Sequence, residues 1–267
     1  MKMVQFRREE EGRYCAVYRG DPVNLPALVA RVQSPDRRLT AGRGAPGVFE
    51  LNGKTWVSRQ YLHGGWLRGI TRGLFFREKR AADELKITVY LEERGFPVIS
   101  AVGFVSRKGL FGRHLFFVSV LLENAHDLVD HFRSANRRER LRMSKKLAAG
   151  LFELGRLGVY HPDLHLRNVL VNAEGKLFFL DFDRAYHKKI TPADYEKMFW
   201  RLDRFARKYA ALFGHAIDDR ERLLFLRTYE RLSGHTIISK MRENRSRMEH
   251  SAKLGWFIDR LFYSRKD

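Results

Sequence analysis

Asp163 and Asn168 lie five residues apart in His161-Pro162-Asp163-Leu164-His165-Leu166-Arg167-Asn168, and Asp181 follows thirteen residues later in Asp181-Phe182-Asp183. Those residue types at those spacings suit phosphoryl transfer. The reaction needs a carboxylate to orient the attacking hydroxyl and take its proton, and Asp163 is the candidate. It also needs hard oxygen donors to hold Mg²⁺ against the nucleotide phosphates, and Asn168 and Asp181 can supply them if the segment between folds back. Asp183 and His165 are secondary candidates, with Asp183 alternatively capping the turn that follows. His-x-Asp and Asp-x-Asp pairs are common structural features of polar loops, so the weight rests on both occurring together. A zinc site built from His161, His165 and Asp163 is poorly spaced for that metal.

The intervening segment does read as a hairpin: Val169 to Val171 and Leu177 to Leu180 flank Asn172-Ala173-Glu174-Gly175. Ahead of the loop, Asn136 is placed to cap a helix running through Leu157, with Leu147, Leu151 and Leu154 on one face and Gly158 at its end. Helical periodicity resumes from Tyr195, through Phe199, Leu202 and Phe205, then Leu223, Leu224, Leu226 and Tyr229.

The first part of the chain is strand-rich. Val48 to Leu51 and Thr55 to Tyr61 are separated by Asn52-Gly53, a strong hairpin signal. A helix follows over about 76–94, stopped by Gly95 and Pro97. Val98 to Ser106 and Leu115 to Leu122 read as further strands, and Glu123-Asn124 as a connector. The expected architecture is α+β with two lobes: a small β-rich lobe over 1–123 that covers a nucleotide, and a helical lobe over 124–267 that carries the catalytic loop and metal site.

Within the first lobe, the turn from Ala41 to Gly47 offers Gly42, Arg43, Gly44 and Gly47 for close backbone approach to phosphates; most such turns merely connect strands. The following strand carries Arg59 where a phosphate-contacting cation is needed. Its carboxylate partner is expected from the helix, with Glu84 preferred and Glu78 as the substitute. An ordinary solvated Arg–Glu pair, worth ~0–1 kcal/mol, is the competing reading.

Composition narrows the partners. The chain has 267 residues, 44% of them hydrophobic, which excludes a largely disordered polypeptide. Lys and Arg number 51 against 31 Asp and Glu, a formal charge of +20, so an anionic partner is expected: nucleic acid, a phosphorylated lipid surface or a polyanionic substrate. No apolar run approaches the roughly 20 residues that cross a bilayer. The first residues lack the apolar core of a secretory signal, and the single cysteine, Cys15, suits a reducing compartment.

The His-x-Asp-x-x-x-x-Asn and Asp-Phe-x elements are arranged as in protein-kinase-like folds. More closely, the chain resembles the lipopolysaccharide kinases of the Kdo/WaaP family. The resemblance is carried by Gly42-Arg43-Gly44, Arg59-Gln60-Tyr61-Leu62-His63-Gly64-Gly65, Asp83-Glu84 with Gly95-Phe96-Pro97-Val98, Glu123-Asn124-Ala125-His126-Asp127-Leu128, the loop from Asp163 to Asn168, and Leu180-Asp181-Phe182-Asp183. It spans roughly 40–190. It implies ATP- and Mg²⁺-dependent phosphorylation of a sugar hydroxyl, on Kdo or heptose, in the inner core of lipopolysaccharide. Family members commonly carry Arg at the position of Arg59. His165 and Leu166 fall at positions that vary, and residues 201–267, with sixteen Lys and Arg against nine Asp and Glu, extend further than expected.

An acceptor on lipid A is anionic and sits at a membrane. The basic, aromatic segment from Trp66 to Arg80 suits peripheral attachment to the inner face of the inner membrane from the cytoplasm, although a helix with a solvated basic rim would read alike. Two other functions remain open. A kinase for a protein or aminoglycoside would lack the Ala-Pro-Glu segment and a full peptide-docking loop in the first case, and would face charge repulsion in the second. A non-catalytic nucleic-acid-binding protein would use the basic surface but leave Asp163, Asn168 and Asp181 unexplained.

Overall fold

The computed structural model describes residues 5–21, 23–39, 45–62, 73–213 and 217–244. The chain divides into two compact units, 1–124 with 178–184, and 125–177 with 185–267. It combines helices with a large antiparallel sheet.

The first unit is built on seven strands: β1 Phe6–Glu11, β2 Tyr14–Arg19, β3 Arg37–Arg38, β4 Gly47–Leu51, β5 Lys54–Gln60, β6 Ala101–Lys108 and β7 Arg113–Val120. Their spatial order is β1-β2-β6-β7-β5-β4-β3, antiparallel throughout. The β4–β5 turn is the expected one: Asn52 and Gly53 have φ of 52° and 68°, the paired left-handed residues of a tight two-residue hairpin. Side-chain alternation gives the sheet two apolar faces. Phe49, Trp56, Val105 and Val118 pack under α1 (Leu25–Gln33) through Leu25, Leu28, Val29 and Val32. Phe104, Leu115 and Phe117 pack on the other face against Ala81, Leu85 and Val89 of α2 (Lys79–Glu93). α2 starts three residues later than its periodicity suggests and stops, as expected, before Gly95 at φ 72°. Neither α1 nor the β1–β2 hairpin is among the elements expected from the sequence. Leu25-Pro26 opens α1 with Asn24 as its cap, the Asn24 side chain accepting from Ala27 N at 2.9 Å.

The second unit is mainly helical. After β8 (His126–Asp127) come α3 (Leu128–Ser134) and α4 (Arg137–Arg156). Asn136 and Glu139 form a reciprocal capping box at the start of α4, and Leu147, Leu151 and Leu154 are buried along it. Gly158 follows at φ 71°. The unit continues through β9 (Val159–Tyr160), a 3₁₀ turn over Leu166–Asn168 and β10 (Val169–Val171), after which Asn172 N donates to Lys176 O at 3.2 Å. β11 (Leu177–Phe179) and β12 (Tyr186–His187) precede α5 (Pro192–Phe213), α6 (Asp219–Ser233) and α7 (Ile238–Glu243). On α6 the buried face is carried by Phe225, Thr228 and Tyr229, not by Leu223, which is exposed. α4 and α6 are tied by Arg140 and the fully buried Glu221, at 2.5 and 3.0 Å. Tyr195 reaches the Phe152 carbonyl at 2.9 Å; a Cβ at Gly155 would collide with its phenol.

Candidate active site

In the first unit, sheet pleating decides which way Arg59 points. It lies opposite Phe117 in the β5–β7 register, on the face that α2 covers. Glu84 projects from α2 and is 1% exposed. The Arg59 guanidinium donates to both Glu84 carboxylate oxygens, at 2.7 and 2.9 Å, and Tyr61 Oη donates to Glu84 Oε2. The pair expected between Arg59 and Glu84 is therefore formed, and it is buried, not solvated. The substitute carboxylate, Glu78, is engaged elsewhere, with Arg8 at 2.9 Å and Arg113 at 3.0 Å.

Asp181 joins the same array, its Oδ1 lying 3.3 Å from Arg59 Nη1. That oxygen is buried and accepts no hydrogen bond, and Asp181 holds φ of 67°. Left-handed backbone costs a non-glycine residue roughly 1–2 kcal/mol, least for Asp and Asn. Phe182, between the two aspartates in sequence, is buried. Asp183 pairs with Arg80 of α2. Arg80 also lies over the rings of Phe75 and Tyr61, at 5.3 and 5.5 Å.

Burial dominates the electrostatics of this array. It pushes Glu84 up to about 7, against the opposing pull of Arg59 and with help from Asp181 and Asp183. Asp183 is raised by its burial and by Asp181, with Arg80 opposing. Burial also opposes the charge on Arg59, but Asp181 and Glu84 outweigh it and hold the guanidinium protonated. Removing water makes each charge depend on its partner.

In the second unit, the loop that begins at His161 is anchored by its apolar residues: Leu164 and Leu166 are buried, as is His161. Asn168 N donates to His165 O at 2.9 Å, closing the 3₁₀ turn, and Asn168 Nδ2 donates to the Asp163 carbonyl at 3.2 Å. With its amide nitrogen used in this way, Asn168 presents Oδ1 as an acceptor. The Asp163 carboxylate receives Arg201 from α5. Arg167 donates to Asp127 at 3.0 Å, and Asp127 caps α3 by accepting from Asp130 N at 3.0 Å. His165 stacks on Phe205, with ring centroids 4.7 Å apart.

Gly42, Arg43 and Gly44 lie outside the described residues, as do the residues from Trp66 to Arg72. Gly47 is described and buried; a Cβ there would come within 2.6 Å of Pro35 Cγ, so its small size serves strand packing. Sequence reasoning missed Arg80 and Arg201. Each is one basic residue among many on an amphipathic helix, and only the fold selects it.

Asp181 in the first unit and Asn168 in the second each offer a hard oxygen donor, the type that suits Mg²⁺ better than zinc. Among the described residues no three His, Cys, Asp or Glu side chains converge as a metal site.

Residues 31–229 match the family described as Lipopolysaccharide kinase (Kdo/WaaP) family. The chain belongs to that family, and thus to the phosphotransferases. Among its relatives are two proteins called 3-deoxy-D-manno-octulosonic acid kinase from Vibrio vulnificus. The one from strain CMCP6 is 27% identical over 199 residues, and the one from strain YJ016 29% identical over 195; each alignment covers 69% of this chain and 80% of the relative. A protein of the same name from Xanthomonas oryzae pv. oryzae is 29% identical over 148 residues, 54% of this chain and 58% of its own.

Proposed function

We propose that this protein transfers the γ-phosphoryl group of ATP to a sugar hydroxyl of the lipopolysaccharide inner core, with Kdo as the acceptor sugar. The names of the relatives favour Kdo over heptose. The observation that carries the reading is the buried Arg59–Glu84 pair with Asp181 beside it. A cation fixed by a buried carboxylate is what contact with nucleotide phosphates requires, and a solvated surface pair would offer no such rigidity.

In this reading the chain has a two-lobed, kinase-like organisation, with residues 1–123 covering the nucleotide and 124–267 carrying the catalytic loop. The turn around Gly42–Gly47 covers the phosphates and Arg59 contacts them. Asp163 orients the acceptor hydroxyl and accepts its proton as the oxygen–phosphorus bond forms and the γ-phosphoryl group leaves ADP. Asn168 and Asp181 hold Mg²⁺, which neutralises charge on the phosphate oxygens when bound. Asn168 is oriented for that role by its bond to the Asp163 carbonyl. The acceptor is an anionic glycolipid, so the enzyme works at a membrane surface, on the cytoplasmic face where ATP is available. No helix among the described residues is long and apolar enough to cross a membrane, and peripheral attachment is the mode we propose.

The test is transfer of labelled γ-phosphate from Mg·ATP to purified Kdo–lipid A, with heptosylated core in parallel and Asp163→Asn as the control. We expect label on Kdo–lipid A, reduced about 10²–10⁴-fold in the variant with ATP affinity kept. Label on the heptosylated core alone would move the acceptor to heptose, and near-normal activity of Asp163→Asn would remove Asp163 from the mechanism.

A further inference from the structure

The apolar side chains that this fold leaves to solvent are not scattered. Among the described residues Leu110, Phe76 and Phe111 are 97%, 90% and 80% exposed, whereas the next large hydrophobic residue, Tyr186, is 48% exposed. All three come from one end of the seven-stranded sheet. Leu110 and Phe111 form the tip of the β6–β7 turn, which is closed by Gly109 N donating to Gly112 O at 2.6 Å. The segment leading to Phe76 lies against that turn. Phe75 N donates to Arg113 O at 2.8 Å and Arg113 N donates to Phe75 O at 2.7 Å, while Leu74 packs beside Gly109 and Gly112.

Cations surround the tip. Lys108 precedes it, and Lys108 N donates to Arg13 O at 2.8 Å, which brings the β1–β2 turn alongside. Arg13, Arg77 and Lys108 are exposed. Two of the nearby acids are already neutralised: Glu78 by Arg8 and Arg113, and Glu10 by Arg8. Glu11 is the remaining exposed acid at this end.

We infer that this end of the sheet is the membrane-docking surface: Phe76, Leu110 and Phe111 insert into an anionic bilayer while Arg13, Arg77 and Lys108 engage its headgroups. The chemistry selects that partner. A few apolar side chains on a turn, ringed by basic residues, match an interface that is apolar about 5–10 Å below an anionic surface. A protein partner would normally bury about 800 Å² per side, more than a turn tip and one neighbouring phenylalanine offer. The inference rests on the anionic glycolipid reading of the acceptor and adds the surface that reaches it. Sequence reasoning placed membrane contact on Trp66–Arg80 and gave no role to Leu110 and Phe111.

The experiment is flotation of the full chain with vesicles of 30% phosphatidylglycerol in phosphatidylethanolamine, and with phosphatidylcholine vesicles. The wild type should bind the anionic vesicles, more weakly as salt rises. Changing Leu110 and Phe111 to serine should lower the partition coefficient by at least tenfold for each side chain removed. Lys108→Gln should lower it about fivefold on anionic vesicles alone. Both substitution sites are exposed, so folding is expected to survive, which circular dichroism checks. Phe111→Trp gives a second readout, since its emission should shift to the blue and be quenched by brominated lipid. Unchanged binding of the double serine variant, or an unshifted Phe111→Trp spectrum, would overturn the inference. So would loss of a dimer in sedimentation with vesicle binding intact, because the surface would then serve self-association. Phosphoryl transfer to a deacylated, water-soluble acceptor should be the same in wild type and the double serine variant. Its absence from both would count against the kinase reading and leave the vesicle result to decide the surface.

Discussion

The two units hold their candidate catalytic side chains by different means. In the first, an array centred on the buried Glu84 links Arg59, Tyr61 and Asp181, and the Arg80–Asp183 pair completes it; Glu84 is 1% exposed, Arg59 22% and Asp181 30%. Its members come from β5 and the residue after it, from α2, and from a segment that follows the second unit's candidate loop in sequence. In the second, Asp163 and Asn168 sit on one short loop, ordered by a 3₁₀ turn, by a side-chain bond to a nearby carbonyl and by buried leucines on either side. A long-range cation, Arg201, reaches the Asp163 carboxylate, and both partners of that pair stay about 30% exposed (31% and 29%). Buried partners fix geometry at the cost of desolvation, which makes the first array intolerant of losing one member. The loop keeps its carboxylate accessible, as a group that must meet a substrate hydroxyl requires.

The sharpest way to break this contrast is to remove one partner from each unit. Glu84→Ala leaves Arg59 charged and buried, and breaking a buried ion pair in this way costs about 3–5 kcal/mol. We expect the variant to lose stability on that scale in urea unfolding and to lose most of its affinity for ATP. Arg59→Ala alone should show a comparable loss, and the double variant should be less impaired than the sum. A double-mutant cycle gives the coupling directly. Additive losses would mean that the pair contributes no more than an exposed one, and the contrast between the units would fail.

The corresponding change in the second unit should behave otherwise. Arg201→Gln removes a partner that is 31% exposed, so stability should change by less than about 1 kcal/mol. Its effect should appear in turnover: we expect kcat to fall about tenfold with KM for ATP held, because Asp163 loses the group that fixes its orientation. Arg201→Lys should restore part of the loss. A fall confined to stability, with turnover intact, would make Arg201 a packing residue.

This difference also explains what could be read in advance. The loop from Asp163 to Asn168 was legible because its chemistry lies in six consecutive residues and depends on spacing alone. The Arg59–Glu84 pair was legible because a strand-then-helix pattern puts one candidate on each element. The β4–β5 hairpin and the cap at Asn136 were likewise visible, since turn and cap chemistry is local. Arg80 and Arg201 were not. Arg80 meets Asp183 across 103 positions and Arg201 meets Asp163 across 38, and the chain has 51 Lys and Arg from which to choose. α1 was overlooked although its signal is present: Leu25, Leu28, Val29 and Val32 recur at i, i+3, i+4 and i+7 behind the Asn24 cap. The exposure of Leu110 and Phe111 is a property of where the β6–β7 turn ends, and no hydrophobic pattern distinguishes an apolar tip from an apolar core.

The smallest expected effect is on pH dependence, and it probes the buried array most directly. Glu84 faces Arg59, Tyr61, Asp181 and Asp183, and burial raises it from the ordinary carboxylate range to about 7. Its native value exceeds its unfolded value, so the native state binds the extra proton between roughly pH 4.5 and 7. The stability contribution is therefore fully present below about pH 4.5 and is lost as pH rises through 7. Relative to Glu84→Gln, which cannot titrate, the wild type should lose stability between pH 5 and 8. Function should run the opposite way, because the ionised carboxylate is the form that pairs with Arg59. kcat/KM for ATP should rise towards pH 7–8 in the wild type, and that acid limb should be absent, at lower overall activity, in Glu84→Gln. Opposed slopes for stability and activity distinguish a carboxylate kept buried for its ion pair from one that merely packs. Flat profiles for both would show that Arg59 suppresses the upward shift and keeps Glu84 ionised throughout the range.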